Sequence, residues 1–233
     1  MLTFQDLVSQ YWKYYLALEN RFLETERYVE FDLSNGMVYS MEYMMLFQTI
    51  CSEIDVVGKA YAGICEPSFK ADKRTGLNEW WFYVTKNNPK LVEESIVFRN
   101  KIKLQPWKNY RIRINPDKKA KRFILEENAG TPAWWNAYNG AKHDRAGNNG
   151  DNYKNASLQN VLTALSGLYS LETSVYKGYK QDKIEMRGDR AEMSDFPLYL
   201  NTVAGGLDRR DQTIGGFSFV VKIYAVPVVE IIG

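Results

Sequence analysis

Ser40-Met-Glu-Tyr-Met-Met-Leu-Phe-Gln-Thr-Ile-Cys-Ser-Glu-Ile-Asp-Val-Val-Gly-Lys-Ala-Tyr-Ala62 carries apolar residues at Tyr43, Leu46, Phe47, Ile50, Ile54, Val57 and Tyr61. Steps of three and four place them on one face of an α-helix. Ser40, just before the stripe, is the residue type that caps a helix N-terminus. Upstream, Leu7, Tyr11, Tyr14, Tyr15, Leu18, Phe22 and Leu23 predict a second amphipathic helix over residues 4–29, with Thr3 and Asp6 as a capping start. The polar turn Glu30–Met37, broken at Asn35-Gly36, is short enough to make the two helices antiparallel neighbours.

Downstream the pattern loosens. Pro67, Gly76, Pro89, Pro106 and Pro116 punctuate residues 63–130. Asn78–Lys86 reads as a short helix, and Ser95–Leu104 and Tyr110–Ile114 alternate like strands. This region is expected to be an insertion packed beside the helical core. Arg99, Lys101, Lys103, Lys108, Arg111, Arg113, Lys118, Lys119, Lys121 and Arg122 give it the strongest charge bias in the chain. Two readings stand side by side: a solvated strand face with its loop, or a wall that faces RNA.

Thr131-Pro132 opens a third long helical segment. It fades at Gly147–Gly150 and is followed by a helix over about Asn152–Tyr179, whose apolar side is Leu158, Val161, Leu162, Leu165, Leu168, Tyr169, Val175 and Tyr176. Residues 183–216 read as an irregular polar arm. Phe217–Ile232 reads as one or two strands packed on the bundle. The expected fold is therefore mainly α: a helical bundle over 1–182 that includes the β-containing insertion at about 63–130, then an arm with C-terminal strands over 183–233.

Bulk properties narrow the function. The chain has 233 residues, 30 basic against 28 acidic, and a net charge of +2. That balance excludes bulk electrostatic binding to nucleic acid and leaves only a local patch. Cys51 and Cys65 are too few to build a zinc site with a single histidine, so no metal or other cofactor is expected. Residues 1–6 have no basic-then-apolar leader, and no apolar run is long enough to cross a bilayer. The expected location is the cytoplasm, with no membrane partner. Gly205-Gly206 and Gly215-Gly216 lack the strand-to-helix context of a phosphate loop.

The densest chemistry lies in Ala133-Trp134-Trp135-Asn136-Ala137-Tyr138-Asn139-Gly140-Ala141-Lys142-His143-Asp144-Arg145, which holds the only histidine. On a helix Trp135, Asn139 and His143 share a face, and Trp134, Tyr138 and Lys142 form the adjacent stripe. His143 can move a proton near neutrality, Lys142 or Arg145 can hold a phosphate, and Asn139 can orient the substrate or the imidazole. Equally, Lys142, His143 and Arg145 suit the C-terminal end of a helix, where the dipole favours cations. Gly140, in mid-helix, marks an irregularity or a close approach by another group. Glu53 and Asp55 on the second helix also have two readings. Asp55 can pair with Lys59 on the surface, or Glu53 or Asp55 can reach His143 or Arg145 across the bundle.

The stretch Tyr138–His143 resembles the Arg-(polar)-x3-His motif of the HEPN superfamily, helical-bundle proteins that include metal-independent ribonucleases of bacterial toxin–antitoxin, CRISPR and phage-defence systems. The layout is similar as well: two long helices, a variable insertion, the motif helix and a long closing helix, over about residues 4–62 and 131–180. The segment Cys51–Lys59 looks like the acidic stretch that faces the motif. The resemblance implies that His143 takes part in proton transfer as the ribose 2′-OH attacks the adjacent phosphate, with Asn139 as the polar residue. It further implies a homodimer bringing two motifs together, RNA as substrate, and a partner or antitoxin protein. Tyr138 stands where the motif has arginine, so a second reading is a HEPN-like module that senses or recruits a partner without cutting.

Overall fold

A computed structural model describes residues 6–99, 102–187 and 217–219, with side chains described up to Val175 apart from Val8. The chain enters through a wide helical turn, Leu7–Trp12, that passes into α1, Lys13–Glu24, and a tighter turn, Thr25–Arg27. The expected helix over 4–29 is thus three helical pieces, and its Thr3 cap lies outside the described residues. α2, Met41–Cys65, follows the expected pattern: Ser40 Oγ accepts from Tyr43 N at 3.0 Å, and every residue of the expected stripe is buried.

The segment after α2 departs from expectation. α3, Leu77–Asn87, brings Trp80 and Trp81 fully into the core. Trp81 stacks on Trp107 at 4.3 Å between ring centroids, and its indole donates to the Tyr110 carbonyl at 2.7 Å. Trp107 in turn donates to Ser170 Oγ at 2.9 Å. Residues 77–99 and 102–110 therefore supply side chains to the core itself. The reason is area: a buried indole removes some 200 Å² from water, more than the short helix could bury on the surface.

Ser95–Leu104, expected as one strand, is a hairpin of β1, Ile96–Phe98, and β2, Ile102–Leu104. The chain turns at Arg99, whose φ is 51°. Arg99 stays there because its guanidinium pairs with Glu26 and lies over the rings of Phe31 and Phe98. β5, Phe217–Phe219, adds to the other edge of β1, giving a three-stranded antiparallel sheet in the order β2-β1-β5. The strand expected at Tyr110–Ile114 is β3, Ile112–Ile114, and pairs antiparallel with β4, Phe123–Leu125, in a second, two-stranded ribbon.

α4, Ala133–His143, stops at the histidine rather than at Gly147. The expected helix from Asn152 is broken into α5, Asp151–Lys154, and α6, Leu158–Arg187. The break lets the first amides of α6 bond outside the helix: Leu158 N donates to the Val38 carbonyl at 2.8 Å and Gln159 N to that of Gly36 at 2.9 Å. From Ala164 to Val175 every residue of α6 except Tyr169 is buried. α6 is the central helix, packed on α1, α2 and α4. The one apolar side expected from its sequence understates this, since Ser166, Ser170, Glu172, Thr173 and Ser174 are buried too. Ser166, Ser170 and Thr173 donate to carbonyls of their own helix, which satisfies hydroxyls inside an apolar core.

The fold is mainly helical with two small antiparallel sheets. α6 runs through residue 187, so the arm expected from 183 begins as helix. Residues 188–216 and 220–233, including the second part of the expected C-terminal strands, lie outside the described residues. Among the described residues, no helix is long and apolar enough to cross a membrane.

Candidate functional site

α4 positions the histidine cluster. Trp134 anchors its start, donating to the Pro106 carbonyl at 2.8 Å and meeting Trp107 edge-on at 5.2 Å. Trp134, Tyr138 and Ala141, at helical spacing, are the buried residues of the helix. Tyr138 is 5% exposed and meets Phe47 of α2 edge-on at 5.9 Å. Burial pushes its hydroxyl pKa up, with Lys142 opposing the shift. Asn139 and Gly140 are half-buried, and Lys142, His143, Asp144 and Arg145 are exposed.

The C-terminal end of α4 is closed by Asn152, whose side-chain amide donates to the Asp144 carbonyl at 2.7 Å. A Cβ on Gly140 would lie 3.0 Å from Asn152 Oδ1, so the mid-helix glycine makes room for this cap. Lys142 turns back along the helix, its Nζ 5.3 Å above the Tyr138 ring. Beneath, Cys51 is fully buried; burial pushes its thiol pKa well up, with Lys142 pulling the other way. His143 makes no hydrogen bond or ion pair to another described residue. It sits at the negative end of the helix dipole, an end that does not attract a phosphate.

The two supporting carboxylates do not meet the histidine. Asp55 accepts from the Trp80 indole at 3.0 Å and pairs with Lys59 at 2.5 Å, so the helix-surface reading of Asp55 and Lys59 is the one realised. Glu53 points elsewhere. It is half-buried, its carboxyl pKa is raised by burial, and its charge acts on Tyr11 and Glu172.

Glu172 is a buried acid outside the residues predicted from the sequence. It is 3% exposed on α6, and its Oε1 has no hydrogen-bond partner among the described residues. Burial, and then the charge of Glu53, hold its carboxyl well above the usual range. Glu19, equally buried, accepts from Tyr15 at 2.9 Å. Glu172 lies four residues after Leu168 and seven after Leu165, in register with the apolar stripe; an acid on that register was the available signal.

Among the described residues no three His, Cys, Asp or Glu side chains come together as a metal-ligand set. Cys51 and Cys65 are not joined in a disulfide. An open cleft of about 520 Å³ lies between Arg21, Tyr28, Glu42 and Tyr43, but Arg21 is already neutralised by Glu42.

Compared with known protein families, curated proteins and solved structures, the chain matches none.

Proposed function

We propose that the chain is a HEPN-like helical domain that works in the cytoplasm by binding and recruiting a partner, not by cutting RNA. One observation carries this. Tyr138, at the position the motif reserves for arginine, is a core residue packed on Phe47, and Lys142, the nearest cation, lies back on its ring. A guanidinium fork fixes a phosphate in two bonds; a buried phenol does not. Without that fork the exposed His143 has no held substrate beside it.

The test is a labelled RNA incubated with the full chain in EDTA. The expected result is no cleavage above that of the His143→Ala variant. EDTA-resistant cleavage that the variant loses would overturn this reading and install the second one, a metal-independent endoribonuclease of a bacterial defence or toxin–antitoxin system acting as a homodimer. What favours that alternative is the free exposure of His143, with Arg145 two residues further on.

A further inference from the structure

The β3–β4 ribbon ends in Asn115-Pro116-Asp117-Lys118-Lys119-Ala120-Lys121-Arg122. With Arg113 on β3, this tip presents five cations, all exposed, and none forms an ion pair among the described residues. The tip is a built loop. Asn115 N donates to the Arg122 carbonyl at 2.7 Å, and its side-chain amide donates to the Lys121 carbonyl at 3.0 Å. The tip's one acid, Asp117, is exposed and accepts from Lys119 N at 2.9 Å.

A second basic loop lies beside it. Lys70, Lys73 and Arg74 are exposed on the connection between α2 and α3 and likewise form no ion pair among the described residues. Asp72, the acid among them, accepts from Arg74 N and Thr75 N, and those backbone bonds keep its carboxyl pKa low. Aromatic packing joins the two loops. Phe69 lies 5.1 Å from Tyr83, Tyr83 lies 5.8 Å from Phe123, and the Arg122 guanidinium covers the Phe123 ring at 5.2 Å. Arg74 and Arg113, the facing ends of the two cation groups, are 39 positions apart in sequence, yet both groups flank α3.

We infer that these two loops form a binding surface for the phosphate backbone of a nucleic acid. Lysines and arginines without ion pairs among the described residues, in two hydrogen-bonded loops, suit a polyanion, whose bound counterions are released as each phosphate is neutralised. The chemistry specifies the backbone and not the bases. Phe123, Phe69 and Tyr83 are engaged with one another, and the ribbon tip carries no aromatic residue on which a base could stack. A lipid surface fits less well, since Ile114 is the one large exposed apolar side chain beside the five cations and Asn115 to Arg122 adds none to insert.

This names the chemical class of the partner in the binding reading above and rests on that reading. The experiment is fluorescence anisotropy with a labelled RNA duplex, the matching single strand, and a DNA duplex, titrated with the full chain over a range of KCl. Wild type should bind, with log affinity falling steeply against log salt. Lys118→Glu/Lys119→Glu/Lys121→Glu should weaken binding more than tenfold and flatten the salt slope by about 2–3, because each lost phosphate contact removes ~0.9. Lys70→Glu/Lys73→Glu/Arg74→Glu should weaken it as well, and both variants should keep the wild-type urea midpoint. Equal binding by the ribbon variant, no binding to any of the three nucleic acids, or preference for phosphatidylserine vesicles would overturn the inference. Cleavage of the RNA with binding still dependent on the ribbon would sink only the non-cutting reading. Absence of cleavage with ribbon-independent binding would sink only this one.

Discussion

The indole of Trp80 donates to Asp55 Oδ1 at 3.0 Å, from α3 to α2, on the same face of α2 that carries Lys59. This bond takes up the carboxylate that the sequence offered as a partner for His143. It also ties a fully buried tryptophan to a half-exposed acid, and so places the bond at the edge of the core. Trp80→Phe keeps most of the ring and removes the donor. It should lower stability by about 2–4 kcal/mol, the sum of a hydrogen bond to a charged group (about 1.5–3) and the cavity left by the smaller ring. A urea midpoint shift without a change of slope would bear this out; an unchanged midpoint would show that the bond adds nothing.

Gly58 lies under the same indole. A Cβ built there would meet Trp80 ring atoms at 2.6 Å. Gly58→Ala should cost about 1–3 kcal/mol despite the better helix propensity of alanine, because a close-packed interior cannot absorb the methyl. Thermal unfolding measures it. A variant as stable as wild type would mean that α2 and α3 can move apart freely.

Tyr138→Arg would restore the letter of the motif. It should instead destabilise the chain by about 2 kcal/mol or more, since it drives a guanidinium into the interface with Phe47 without a partner. Tyr138→Phe should be close to neutral. A fully stable Tyr138→Arg protein that also cuts RNA would show that α4 can turn to present the position.

Glu172 makes stability depend on pH. Its carboxyl pKa in the folded state lies well above the unfolded value, so the native state holds the extra proton. The favourable contribution is complete below the unfolded carboxyl value of ~4.3 and is lost as pH rises through the folded value. Glu172→Gln keeps the shape and removes the charge. Its urea midpoint should exceed that of wild type at pH 8, and the gap should shrink toward pH 5. A constant gap would rule out titration of this group as the cause.

His143→Ala should leave the urea midpoint unchanged, because the imidazole is exposed and bonds to no described residue. Asn152→Ala, by contrast, should cost about 1 kcal/mol through loss of the bond to the Asp144 carbonyl that closes α4. If the order were reversed, the histidine and not the asparagine would be the structural end of the helix.

Local patterns in the chain settle some of these features. Ser40 and the stripe from Tyr43 to Tyr61 specify α2, because a cap and a 3.6-residue period need only neighbours within a few turns. The same holds for Asn78–Lys86 and for the helical face that joins Trp135, Asn139 and His143. Tertiary contacts decided the rest. Asp55 turned to Trp80 because α3 folds against α2, a juxtaposition twenty-five residues long that no periodicity encodes. Tyr138 went into the core because Phe47 stands opposite it. Glu172 is buried because α6 is enclosed by its neighbours from Ala164 to Val175, which an apolar stripe on one face could not announce. The basic loops at 70–74 and 113–122 became neighbours through Phe69, Tyr83 and Phe123. By itself, the sequence determined which segments coil and where their cations and acids fall along them. Only packing decided which of those groups meet solvent, because burial depends on the partner element and not on the residue's own neighbours.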